Sequence, residues 1–449
     1  GHGWLLAQQI VHGEACYDTW VIDPRRFTGH ATVELTALKA IEDYQNEFRF
    51  HFPHEHRPAG RNAKTTPLTA ILEAEGAAFG VVNGWERMDY IKPSADFTEA
   101  HGFHFNEVHD VVAAEVAAIQ SGVGLTEVNG FNRFEISGAD THDFLDRMIC
   151  GRVPRKTGRV GLGYLLNHHG MIKAEATIAN LPDRVWYGSA AASEFHDMDW
   201  LSAHISADED VQIRSLTNDW TIMVIAGPKS RDVLSAAARG DWSAGAFPWL
   251  SVREAHIGIA PAVVMAVSFS GELAYEIHVP NAHLVSAYRT LRAAGEANGM
   301  RLFGSRAVDS MRLEKGFLHW KSDILTEFDP FETGLDRFVK IDKDDFIGKP
   351  ALQKRHAKGP AKKLVTLVVD CTDRPAHPGS SAMMDGRVVG TVTSGDWGHR
   401  TGMNLALAFV EPDLAAPGTA MTLDLLGDLI PAKVIAPAPY DPDFSLLRS

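Results

Sequence analysis

Apolar residues recur at helical spacing over 4–11, 33–48, 67–79, 108–121 and 141–148. A further amphipathic run, 307–317, carries the glycine stop Gly316. Two-residue alternation marks strands at 131–136, 163–166, 174–179, 184–189, 220–225, 263–268 and 273–279. Strands and short helices mix up to about residue 340 without the strict alternation a parallel sheet needs, so the pattern predicts an α+β domain over 105–345. Beyond Lys349-Pro350 and a short helix, turn-punctuated strands at 363–369, 387–393, 406–410 and 420–425 predict a small barrel or sandwich over 355–445. The stretch 23–92 is irregular, with breakers at Asp23-Pro24 and across 51–61, and 92–104 reads as a linker.

Length and composition narrow the class. A chain of 449 residues has room for two to four domains. Cys16, Cys150 and Cys371 are far apart with no CxxC pair, which excludes a disulfide framework and a thiolate zinc site and fits a reducing compartment. A net charge of −14 argues against a nucleic-acid partner, and the apolar runs are too short to span a bilayer. His51, His54, His56 and the pair His168-His169 lack helical i, i+4 spacing and read as solvated or structural rather than as metal ligands. There is no GxSxG elbow, P-loop or HExxH, and no GxGxxG opening a helix.

Four segments carry candidate chemistry. In 164–178, strand, glycine turn and strand put Glu175 and Thr177 on one face and Ala174 and Ala176 on the other. In 269–280, Glu276 sits in a β-like run; a buried carboxylate there needs partners, and a flat heterocycle with adjacent N–H and NH₂ donors would supply a bidentate one. In 307–317, Asp309 and Arg312 stand at i, i+3. In 390–400, a strand runs into a glycine-rich turn around Asp396-Trp397-Gly398. Taken singly, these segments also fit a solvent-facing glutamate, a strand ion pair, a helix ion pair and a surface hairpin.

In this order the segments resemble the folate-binding aminomethyltransferase fold of the glycine cleavage T-protein. The matching runs are the acid after the Gly170 turn, Gly271-Glu272 through Glu276-Ile277, Asp309-Ser310-Met311-Arg312-Leu313-Glu314-Lys315-Gly316, and Val392-Thr393-Ser394-Gly395. The chain resembles the flavin-dependent dimethylglycine and sarcosine dehydrogenase group more closely still, over nearly its whole length. That likeness runs through Arg57-Pro58-Ala59-Gly60-Arg61, Gly84-Trp85-Glu86-Arg87, 309–317, 330–335 and 339–349.

The resemblance implies a T-protein-like fold with a C-terminal β-barrel. Before it would come the end of an FAD-dependent oxidoreductase domain, 1–22, and a connecting domain, 23–92. It implies oxidation of an N-methyl amine such as dimethylglycine or sarcosine at FAD, and transfer of the one-carbon unit to tetrahydrofolate as 5,10-methylenetetrahydrofolate. The first residue is Gly1 rather than Met and the dinucleotide fingerprint is missing, so the flavin half is expected upstream in a longer chain or in a partner subunit. The expected location is the cytoplasm, or the mitochondrial matrix in a eukaryote, with no membrane partner.

By the same resemblance Glu175 is the catalytic acid near folate N10, and Glu276 holds the pterin. Tyr164 and Tyr275 wall the cleft, Arg312 and Arg400 meet the folate tail, Trp397 stacks there, and Gly1 and Gly3 belong to the flavin site. Where the T-protein has paired aspartates after a glycine pair, this chain has Ala174 and Glu175, a carboxylate one methylene longer. Two other readings stay open: a flavin-free, folate-dependent methyl transfer on the same fold, and a non-catalytic regulatory homologue.

Overall fold

Two sheets and a barrel organise the chain in the computed structural model, which describes residues 1–27, 29–190 and 192–449. The first sheet has six strands, in the order Val252–Ile257, Ala260–Met265, Ala274–Pro280, Trp220–Ala226, Gly124–Val128 and Arg301–Leu302; only the last pairing is parallel. The second has five, in the antiparallel order Arg159–Leu166, Ile172–Asn180, Val185–Ser189, Asn132–Ser137 and Gln212–Ser215. A closed six-stranded barrel follows: Lys363–Val369, Met403–Val410, Arg387–Gly398, Ser381–Met384, Ala420–Leu425 and Asp428–Ile435. Among the described residues no helix is long and apolar enough to cross a membrane.

Each sheet buries one face on helices. Met223, Ile225, Val264, Ile277 and Val279 pack with Val233 and Leu234 of helix Ser230–Ala237 and with Leu284 and Leu291 of helix Leu284–Glu296. Phe134, Ile136, Ala174, Ala176, Ile178 and Tyr187 pack with Phe144, Leu145 and Met148 of helix Thr141–Met148. The opposite faces meet each other. Val160, Ala179 and Trp186 of the five-stranded sheet form one apolar cluster with Val252, Val263 and Met265 of the six-stranded sheet. Strict alternation leaves each strand one helix-facing and one sheet-facing side.

Two segments depart from the sequence expectation. The helical run 67–79 stops early, at Thr69–Ala74, and Gly76 at φ +94° turns the chain into a hairpin of Ala77–Val82 and Trp85–Ile91. Asn83 and Gly84, both at positive φ, make its turn, the residue pair that two-residue hairpins favour. Leu68, Leu72, Ala77 and Met88 join the core of the six-stranded sheet, so 68–91 belongs structurally with that sheet and not with the connector.

The glycine-rich run after 393 is strand, not turn. A bulge between Val392 and Ser394 lets the strand continue to Gly398. Its glycines serve close approach: a Cβ on Gly395 would lie 2.1 Å from the Ala376 carbonyl oxygen.

The barrel is tied to the sheets by charges that water does not reach. Arg400 bonds Glu314 at 2.6 Å and Glu272 at 2.7 Å, and its side chain has no accessible surface. Arg312 bonds Asp323 at 2.7 Å, and Asp323 accepts from Thr393 and Ser394 of the barrel at 2.6 Å each. Removing one partner of such a pair strands the other in a medium that cannot solvate it. Arg400→Met is therefore expected to lower stability by about 3–5 kcal/mol in urea unfolding. A loss below about 1 kcal/mol, the range of an exposed pair, would contradict this role.

Candidate functional site

Register places the two singled-out glutamates on the meeting faces. Glu175 is the cross-strand partner of Tyr164, and Thr177 and Ala179 share its side, opposite Gly188 and Trp186. Glu276 lies between Met265 and Val224 and shares its side with His278. Each carboxylate thus points from its own sheet toward the other.

Glu276 is held by a buried relay. Arg133, on the same face as Trp186, donates to His278 Nδ1, and His278 Nε2 lies 3.1 Å from Glu276 Oε2. Because Nδ1 accepts, the imidazole proton sits on Nε2 and is donated to the carboxylate. Burial and then the Arg133 charge draw His278 down to about 4, so the ring is neutral at pH 7. Burial also draws Arg133 down to about 10, which leaves it cationic. Its guanidinium lies 5.2 Å from the Trp186 ring, and among the described residues its Nη1 has no hydrogen-bond partner. Glu276 itself keeps 29% of its side chain accessible, and among the described residues nothing bonds its Oε1. One carboxylate oxygen is fixed and the other is open.

Glu175 is set differently. The buried Tyr164 hydroxyl donates to its Oε2 at 2.7 Å. The residue as a whole is half-buried, and its carboxyl is ringed by protein. Burial raises it to about 7 and the Tyr164 bond restrains the rise. Near neutral pH it is divided between acid and anion, so it can hold or release a proton.

The other expected site residues lie elsewhere. Tyr275 alternates to the helix-facing side with Ile277 and stacks near Phe247 in that core, so it is not a wall of the inter-sheet cleft. Arg312 and Arg400 are turned inward onto Asp323, Glu314 and Glu272, which removes both as cations for a folate tail. Trp397 packs edge-on against Phe105 and His109, and its carbonyl accepts from Ser310. Gly1 and Gly3 stand in open space and helix His2–His12 buries no residue, so this segment by itself encloses no cofactor.

Sequence reasoning missed Arg133 and His278. The one available signal was the Glu276-x-His278 spacing, which puts both side chains on one strand face. It also missed Asp396, a carboxyl that burial raises to about 7 and that accepts from the Trp397 N–H at 2.7 Å.

Comparison with known proteins agrees with this architecture. The GCVT N-terminal domain model matches residues 68–343, the glycine cleavage T-protein C-terminal barrel domain model matches 362–441, and the FAD dependent oxidoreductase central domain model matches 12–66. Mitochondrial dimethylglycine dehydrogenase of Rattus norvegicus is 31% identical over 97% of this chain and 51% of its own length. The 4-methylaminobutanoate oxidase (formaldehyde-forming) of Paenarthrobacter nicotinovorans is 31% identical over 100% of this chain and 55% of its own. The chain spans about half the length of the curated relatives it matches. The crystal structure of glycine cleavage system aminomethyltransferase T from Bartonella henselae shares the fold, with a TM-score of 0.73 at 22% identity over 84% of this chain and 98% of that one.

The raised Glu175 carboxyl makes stability fall with pH. The folded chain binds more protons than the unfolded chain between the ordinary value of 4.5 and about 7, so stability declines as pH rises through that window. Glu175→Gln removes the effect. It is expected to exceed the wild type by about 1–3 kcal/mol at pH ~8 and to be nearly level with it at pH ~4.5, measured by urea unfolding. A difference that does not change between the two pH values would contradict the assignment.

Proposed function

The chain belongs to the glycine cleavage T-protein family, and on that footing we propose that it is the tetrahydrofolate-binding part of an FAD-dependent dehydrogenase of N-methyl amino acids. The observation that carries this reading is Glu276, fixed through one oxygen by the Arg133–His278 relay and open at the other, on a sheet face that meets the face of Glu175. A pterin edge offers adjacent N–H and NH₂ donors, and a carboxylate with an open oxygen is their complement. The match of 12–66 to an FAD dependent oxidoreductase central domain favours the flavin-linked reading over flavin-free methyl transfer on the same fold.

When bound, tetrahydrofolate supplies a nucleophilic nitrogen that accepts the one-carbon unit as 5,10-methylenetetrahydrofolate. The protein's own residues do the rest. Glu276 orients the ring from the six-stranded sheet. Glu175, as anion, favours positive charge developing at the nitrogen, and with its raised pKa it can take up the proton displaced there. Tyr164 positions that carboxyl and holds its pKa near neutrality. The longer carboxylate meets the Tyr164 hydroxyl of the neighbouring strand at 2.7 Å. FAD, the amine and the contact with a flavin domain or subunit belong to the same proposal, supported by the match of 12–66 to an FAD dependent oxidoreductase central domain.

The expected outcome is micromolar or tighter binding of tetrahydrofolate by the full chain, measured by calorimetry. Glu276→Gln is expected to weaken it by about 10–100-fold, the value of a charge-assisted hydrogen bond. Glu175→Gln is expected to leave binding within about threefold and to abolish its pH dependence around neutrality. Equal binding by wild type and Glu276→Gln would overturn the reading.

A further inference from the structure

A hollow of about 360 Å³ lies between the loop 321–328 and the outer wall of the barrel. None of its lining residues belongs to either sheet, so it is not the cleft of Glu175 and Glu276. Asp18 of the N-terminal segment reaches one of them, Lys321, at 2.9 Å. The hollow therefore stands where three parts of the chain meet, the kind of junction that small-ligand sites favour. Its base is apolar and flat. Phe328 of the loop stacks on Phe409 of the barrel at 3.9 Å and 14°, and Leu325 lines the same hollow. Ala408 and Val410 point into the barrel core, so Phe409 and its cross-strand partner Thr391 face outward. Phe409 is buried, whereas Phe328 is only half-buried.

The charge around this base is positive and incompletely compensated. Lys362 immediately precedes strand Lys363–Val369, whose first residue pairs with Val410 beside Phe409. Among the described residues its Nζ meets no carboxylate, only the Val389 carbonyl oxygen at 3.3 Å. Glu411, the acid that feels its charge, is already bound by Arg387 at 2.9 Å. Lys321 is better paired, yet its partner Asp18 also faces Lys173 at 3.7 Å and His196 at 3.4 Å, so two lysines share one carboxylate. In a chain of net charge −14, this hollow presents two ammonium groups beside the hydroxyl-bearing Ser322 and Thr391.

We propose that this hollow binds a small organic anion, a flat apolar body carrying one carboxylate, at a site independent of the sheet cleft. The body rests against Phe328 and Leu325, and the carboxylate meets Lys362 and the Thr391 hydroxyl. A lysine with no acid of its own keeps its charge for a ligand, and the apolar base shields that contact from water. Neither half of such a ligand suffices alone. An uncharged ring leaves Lys362 unanswered, and a bare carboxylate buries too little apolar surface.

The test is calorimetry on the full chain with benzoate, benzamide and acetate as probes. Benzoate is expected to bind with a Kd below about 1 mM, and benzamide and acetate at least about tenfold more weakly. Lys362→Gln is expected to weaken benzoate about tenfold and to leave tetrahydrofolate binding within about threefold. Glu276→Gln is expected to leave benzoate within about twofold, because that carboxylate lies in the other site. The inference is overturned by benzoate binding that does not saturate below about 10 mM, by equal binding of wild type and Lys362→Gln, or by loss of benzoate binding in Glu276→Gln. None of these outcomes depends on whether the wild type binds tetrahydrofolate, so this inference and the folate reading fail separately.

Discussion

The site depends on one buried chain of hydrogen bonds, Arg133 to His278 to Glu276. A carboxylate at the boundary of two packed sheets is costly unless something fixes and compensates it. A cation placed directly against Glu276 would satisfy it and leave nothing for a ligand. Here a neutral imidazole stands between them. It delivers one hydrogen bond and passes on the orientation set by Arg133, while the guanidinium stays sheltered beside Trp186. The carboxylate is held in place but remains incompletely bonded, the condition a recognition group needs.

The fold serves this arrangement through alternation. Each sheet turns one side to helices and the other to its neighbour, so every second residue of the strands bearing Glu175 and Glu276 looks into the space between sheets. The barrel contributes through buried ion pairs that reach back to helix Ser305–Glu314. The same pairs turn Arg312 and Arg400 inward, where they hold the barrel to the sheets.

Much of this was legible in the sequence where pattern is local. The helices Val108–Ser121 and Thr141–Met148 and the strands Lys363–Val369 and Ala420–Leu425 follow periodicity directly. The face of Glu175 followed from counting by twos, whereas Tyr275 was misplaced because adjacency in a strand means opposite faces. The strand through Gly398 read as a turn because glycine marks both turns and close packing, and only the neighbour at Ala376 tells them apart. Arg133 and His278 are 145 residues apart, a pairing that sheet packing creates and periodicity cannot reveal.

The most direct test of the account is a crystal structure of the full chain with tetrahydrofolate bound. The account predicts the pterin between the two sheets, its N–H edge about 3 Å from the Glu276 carboxylate, with His278 still bonded to Oε2. A pterin bound elsewhere, or one that leaves Glu276 facing only water, would contradict it.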